Sequence, residues 1–221
     1  DIDILYAEFG YALVNSKQLR IKFDEIKYDQ KKSIIIAKKN VKINEIKKNI
    51  LIETDSIFFN VKDNIISSSS NSKFKDNFNN SITTTNFNYN LKEGDLRVEN
   101  AELKDFNNNI FLIKKAYLNT TSNKLLGKDI SINLNNENFN IDNEPRLKGR
   151  SLTSKGNLTE ISKGVFTTCK IRDGCPPWEI SAEKIQHDSE KRIINYKNAW
   201  LKIYDVPVMY FPKFFHPDPT V

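Results

Sequence analysis

Two histidines, two cysteines and a scatter of carboxylates are the residues with the chemistry for catalysis or metal binding, and their spacing assembles neither. His187 falls in a run of alternating residues and reads as a structural strand position. His216 sits among the prolines of the C-terminal stretch, so neither a histidine-based zinc site nor a Ser–His–Asp arrangement is indicated. Cys169 and Cys175 lack the further ligands of a structural zinc. In an oxidising compartment they would close a local bridge worth about 2 kcal/mol, and spacing alone leaves equal room for two unpaired thiols. Gly149 and Gly156 read as isolated turn glycines, not a phosphate loop. Asp and Glu are spread through turns with no acid/base couple. The expectation is a non-enzyme with no cofactor and no metal.

The elements around these residues are more informative. An apolar pair closed by Asp or Asn returns about every thirty positions: Ile26-Lys27-Tyr28-Asp29, Ile57-Phe58-Phe59-Asn60, Phe87-Asn88-Tyr89-Asn90 and, more weakly, Ala116-Tyr117-Leu118-Asn119. Each is followed by a second apolar pair: Ile34/Ile36, Ile65/Ile66, Leu96/Val98, Leu125/Leu126. Side chains two apart share one strand face. The short polar side chain then bonds its own backbone and opens a turn to the returning strand. Units of this kind bury their apolar faces only by stacking on their neighbours. The spacing predicts an all-β chain of two facing antiparallel sheets of stacked hairpins. Ile26, Tyr28, Ile57 and Phe59 point between them, joined by Phe87, Tyr89, Leu96 and Val98. Ile34 and Ile36 are placed on the same inner face, as are Ile130 and Ile132, while Lys27 and Lys42 lie outside. Pattern alone favours a filled core over an open groove.

Composition sets the bounds. With 221 residues the chain is long enough for a substantial core, and its regular Ile, Leu and aromatic spacing argues against disorder. The net charge of +6 is spread along outer strand faces, without the basic face and interleaved aromatics of a nucleic-acid binder. No run approaches the eighteen or so apolar residues of a spanning helix, and the seven glycines disfavour a transmembrane barrel within this chain. No signal peptide is visible, and a start without Met points to a processed or trimmed end.

Residues 1–16 read as an entry segment with a strand from Tyr6 to Val14, and residues 17–205 as the hairpin array. Ser67 to Asn80 reads as a wide loop. A denser segment at 166–188 holds both cysteines and Trp178. After it, Lys184 to Ile203 repeats the cadence of Ile26 to Ile43 with a one-residue slip. Residues 206–221 carry four prolines, which rule out a central strand, and read as a stiff extended exit.

The dense segment and the tail carry a specific resemblance. Phe166-Thr167-Thr168-Cys169, the Cys175-Pro176-Pro177-Trp178 turn, Ala182, Ile185 to Asp188 and Tyr196 belong to it, as do Val206-Pro207-Val208, Tyr210-Phe211-Pro212 and His216-Pro217-Asp218-Pro219. Together they resemble the LptD (OstA) family of outer-membrane lipopolysaccharide-assembly proteins, over about a quarter of the chain. The preceding hairpins resemble the OstA/LptA-like β-jellyroll repeats of the same pathway.

The resemblance implies a periplasmic domain at the outer membrane. It would receive lipopolysaccharide from an LptA-like bridge protein and pass its acyl chains to a barrel beyond Val221, with an LptE-like lipoprotein as partner through that barrel. It also implies an open groove lined by the residues above, with Trp178 capping its C-terminal end. Many relatives bridge this domain to the barrel through cysteines. Here both lie in one segment, which favours a local Cys169–Cys175 disulfide. The N-terminal strand, with Tyr6, Glu8, Gly10, Ala12 and Val14, is poorly guarded against pairing and is expected to be the docking edge for the bridge protein. A stand-alone bridge protein and a structural β-repeat or adhesin module are the other readings.

Overall fold

The computed structural model describes residues 3–77, 79–135, 143–171 and 176–217. The chain is all-β, and among the described residues the sole helical element is a single 3-10 turn, Asn15–Lys17. No helix is long and apolar enough to cross a membrane. The chain divides into two compact units. The first, Asp1–Phe106 with Tyr117–Thr121, holds β1 (Ile4–Val14), β2 (Leu19–Asp29), β3 (Ile34–Glu45), β4 (Ile50–Asn60), β5 (Ile65–Ser68), β6 (Ser72–Lys75), β7 (Ser81–Thr84), β8 (Asn86–Asn90) and β9 (Asp95–Lys104). The second, Asn107–Ala116 with Ser122–Val221, holds most of β10 (Ile110–Asn119), then β11 (Lys124–Asn133), β12 (Arg146–Lys155), β13 (Leu158–Thr167), β14 (Trp178–Asp188), β15 (Ile193–Ile203) and β16 (Val206–Pro217).

The recurrent Asp or Asn makes the expected turn. Asp29 Oδ1 accepts the backbone N–H of Lys32 at 2.9 Å, Asn60 Oδ1 that of Asp63 at 3.1 Å, and Asn90 Oδ1 those of Lys92 and Glu93 at 3.0 and 3.1 Å. Asn119 and Asp188 do the same at Thr121 and Lys191. Four residues after each of these five comes a left-handed residue (Ser33, Asn64, Gly94, Asn123, Arg192) that turns the chain into the returning strand. The thirty-residue period is therefore two antiparallel strands and their turns. In the first unit the pairing order is β1-β2-β3-β4-β5-β8-β9, with β6 and β7 pairing each other and bridging β4 to β9; in the second it is β11 through β16 in sequence order.

Each long strand is creased near its middle. Left-handed residues occur inside strands at Phe9, Lys39, Asn40, Asn100, Asp129, Lys163 and Asn198. At Lys39 and Asn40 the registers of β3 shift, from Lys22–Lys42 to Glu25–Lys38 and from Thr54–Val41 to Ser56–Lys38; at Phe9, Asp129, Lys163 and Asn198 the pairing lapses for a residue with the register unchanged on either side. Such bulges bend a strand and re-aim its side chains, and Asn and Asp accept the left-handed conformation at low cost. At the same level β5 stops and β6 begins, as do β7 and β8. Beyond the crease the inward positions change parity: Ile52 and Thr54 give way to Ile57 and Phe59, and Ile180 and Ala182 to Ile185. The two facing layers are thus two halves of the same strands, and the one-residue slip in the sequence cadence is the crease.

One expectation is corrected here and another is made specific. Ser67 to Asn80 is not one wide loop: residues 67–68 pair within β5 and residues 72–75 form β6. Its serines are there because the break in the strand frees backbone and hydroxyl groups that must bond one another. Ser72 Oγ donates to Thr54 Oγ1 at 2.9 Å, Thr54 Oγ1 and Ser68 Oγ lie 3.1 Å apart, and the Ser70 N–H donates to Ser68 Oγ at 3.0 Å. No buried side-chain polar atom lacks a partner among the described residues. The tail, expected as a stiff extended segment outside any central strand, is an edge strand. Val206–Pro217 is β16, paired along its length with β15. Its prolines sit on an edge strand, where missing donors are tolerated, and Pro212 falls opposite the crease residue Asn198.

Candidate functional site

The inward rows are the candidate site. In the first unit one row runs Tyr28, Ile35, Phe59, Ile66, Tyr89 and Leu96 across the register, and the next runs Ile26, Ala37, Ile57, Phe87 and Val98. Eight expected residues, Ile26, Tyr28, Ile57, Phe59, Phe87, Tyr89, Leu96 and Val98, therefore share one face. Phe59 is fully buried, Tyr89 is 1% exposed, and Ile26 and Tyr28, nearest the β1 edge, are half-buried. From the other half-sheet, Phe74 meets Phe87 edge-on at 4.9 Å. Ile34 and Ile36 were expected inside and are not. Ile36 pairs with Lys27 and Phe58 and Ile34 with Asp29 and Asn60, on the outer face, while Ile35 and Ala37 point in. Four consecutive apolar residues, 34–37, leave no alternation to read, and the neighbours' register decides.

The second unit repeats the arrangement. Ile132, Leu147, Phe166, Ile180 and Leu201 form one inward row across the register, which ends at the edge on the exposed Met209, and Ile132 is 2% exposed. Ile130, at 5%, lies beside the crease. Close to the crease the inward positions are small, Gly149, Gly164, Ala182 and Ala199, and isoleucines of the facing half fill the space. A Cβ on Gly149 would lie 2.2 Å from Ile161 Cγ2, and one on Gly164 2.6 Å from Ile185 Cδ1. Gly149, read as a turn glycine, is a packing glycine. Gly156 does turn the chain, with φ +58°. Rings close the C-terminal part: Phe166 lies 6.2 Å from Trp178, 6.5 Å from Tyr196 and 5.3 Å from His216. Trp178 is inward and half-buried, and Tyr196 Oη sits 2.8 Å from His216 Nε2. His187 occupies the inward row with Thr159, Ile194 and His216. Burial raises the Tyr196 hydroxyl pKa above its usual value.

β1 carries Tyr6, Glu8, Gly10, Ala12 and Val14 and pairs with β2 along one side. Its other side has no strand partner among the described residues. Tyr6, Phe9, Tyr11 and Leu13 are exposed, and Gly10 lies over the Phe23 ring. β16 is the corresponding edge of the second unit. Cys169 is half-buried with its Sγ 3.8 Å from the Trp178 carbonyl oxygen. Cys175 lies outside the described residues, and with it the expected disulfide.

The sequence is similar to the LPS-assembly protein LptD of Nitrosomonas europaea. The two are 26% identical over 137 residues, covering 57% of this chain and 18% of that protein. The chain thus matches less than a fifth of the length of this curated relative. No family model matches the chain.

Sequence reasoning missed a polar cluster at the far edge of the first unit's interior. Glu45 ends the inward row of β3 and is 4% exposed. Tyr89 Oη donates to Glu45 Oε2 at 2.6 Å. Lys48 Nζ lies 3.2 Å from Glu45 Oε1, 3.0 Å from Tyr89 Oη and 3.4 Å from the Leu91 carbonyl oxygen. Burial, and then the Glu45 carboxylate, push the Tyr89 hydroxyl pKa above its usual value. A Glu and a Lys in a Lys-rich chain gave no signal. Glu45 falling on the parity of Val41 and Ile43 was the one available clue.

Proposed function

We propose that the chain is a lipid conduit of lipopolysaccharide transport, in which acyl chains lie between the half-sheets and the sugar headgroup stays in water. One observation carries the reading: in each unit an inward apolar row crosses successive strands, as an acyl-chain path requires. The similarity to an LPS-assembly protein supports it. Burial of acyl chains supplies about 0.8 kcal/mol per CH₂, against the side-chain contacts that must part to admit them. An equilibrium conduit has no direction of its own, so the chain neither catalyses nor pumps, and flow is imposed from outside.

In this reading the chain works at the periplasmic face of the outer membrane. An LptA-like bridge protein adds a strand to the free side of β1, the ladder beyond β16 leads to an outer-membrane barrel, and an LptE-like lipoprotein acts through that barrel. Cys169 and Cys175 form a local disulfide near Trp178. Native mass spectrometry with purified lipopolysaccharide tests the reading. The expected result is a bound lipid lost on Phe59→Asp in a variant whose far-UV dichroism stays that of a β protein. Binding that persists equally in that variant contradicts an internal path.

A further inference from the structure

The Glu45–Lys48–Tyr89 cluster joins the two half-sheets of the first unit at the side away from the crease. Glu45 closes the half formed by 41–45 of β3, and Tyr89 belongs to the half formed by β8. Lys48 stands in the turn 46–49 and reaches the carbonyl oxygen of Leu91 in the opposite turn 91–94. Gly94 (φ +76°) keeps this approach open, since a Cβ there would meet Thr120 and Thr121 Oγ1 at 2.7 Å and Lys48 Nζ at 3.2 Å. On the opposite side the strands themselves run through the crease and cannot part. The seam is therefore the side on which the interior opens without breaking a strand ladder, and these three side chains span it.

We propose that Glu45, Lys48 and Tyr89 form a clasp that holds this seam shut when the interior is empty and releases to admit an acyl chain laterally. The interior as it stands is closed, with Phe59 and Ile66 fully buried, so entry between the half-sheets requires the seam to part. An apolar seam would part by exposing hydrocarbon alone. A charged one exchanges protein partners for water, which solvates Glu45 and Lys48 well once separated and makes the open state reachable. The identity of the cargo rests on the lipid-conduit reading; the clasp itself does not.

The test uses the 221-residue chain with Cys169 and Cys175 replaced by serine and spin labels at Ile46 and Lys92, exposed positions in the two facing turns. Distances are measured with Tyr89 intact, in Tyr89→Phe and in Lys48→Met, with circular dichroism to confirm the fold. The intact clasp gives one short distance. Each variant adds a longer component, with the open population raised roughly fivefold, as for one lost hydrogen bond. Fluorescently labelled lipopolysaccharide is captured faster by about the same factor. If the distance lengthens but none of the three proteins takes up lipopolysaccharide, the clasp stands and the conduit reading fails. An unchanged distance distribution in both folded variants overturns the clasp.

Discussion

Gly149 illustrates how much rests on one missing carbon beside the crease. Alanine there would press Cβ into Ile161, and overpacking of this kind costs about 1–3 kcal/mol. Chemical denaturation of Gly149→Ala should show that loss, and the same substitution should cost less when introduced into an Ile161→Ala background. The tyrosines give a second prediction. Tyr89 and Tyr196 have hydroxyl pKa values raised by burial above the ordinary 10.0, so the folded state resists forming the phenolate. Their contribution is fully present below pH 10 and is lost as pH rises through the raised folded values. Alkaline unfolding followed by circular dichroism should begin above about pH 10, and Tyr196→Phe should weaken that dependence. Trp178, half-buried against Phe166, should cost about 2 kcal/mol on truncation to alanine, less than a fully buried ring. At this scale the sequence was readable where apolar and polar residues alternate, as at Phe59 and Tyr89. It was unreadable at 34–37, where they do not, and at Glu45, whose partner lies 44 positions away.

The turn and the crease are the elements that make the fold, and they differ in legibility. Turns are local: an Asx side chain bonds an N–H two or three residues on, so each was visible in the sequence. Asp188 carries the strongest test. The Lys191 backbone N–H, its main cause, holds its pKa below the usual carboxylate value. Stability from that contact is present above the unfolded aspartate pKa and lost as pH falls through the lowered folded one. Asp188→Asn should remove this acid-side dependence while keeping the turn. The crease is not local in the same sense. The left-handed Asn198 lies opposite Glu183 and Pro212, where pairing lapses with the register unchanged, and a bend shared across neighbouring strands has no local signature; the two facing layers expected from the sequence are therefore two halves of one set of strands. The edge strands follow from pairing. Proline at Ala12 should block strand addition at β1 while leaving the Trp178 fluorescence of the second unit unchanged, and a partner that still docked would place the docking edge elsewhere.

Across the whole molecule, the account holds that lipid runs inside the creased strands and never over their outer faces. The two faces of the strands provide the comparison. Phe59 on β4 and Ile132 on β11 point inward; Ile36 and Lys42 on β3, the ladder partner of β4, point out. Photo-crosslinking amino acids placed singly at these four positions, during lipopolysaccharide transport, make the most direct measurement. The account predicts lipopolysaccharide adducts at Phe59 and Ile132 and none at Ile36 or Lys42; equal capture on both faces, or capture at Ile36 and Lys42 alone, would contradict it.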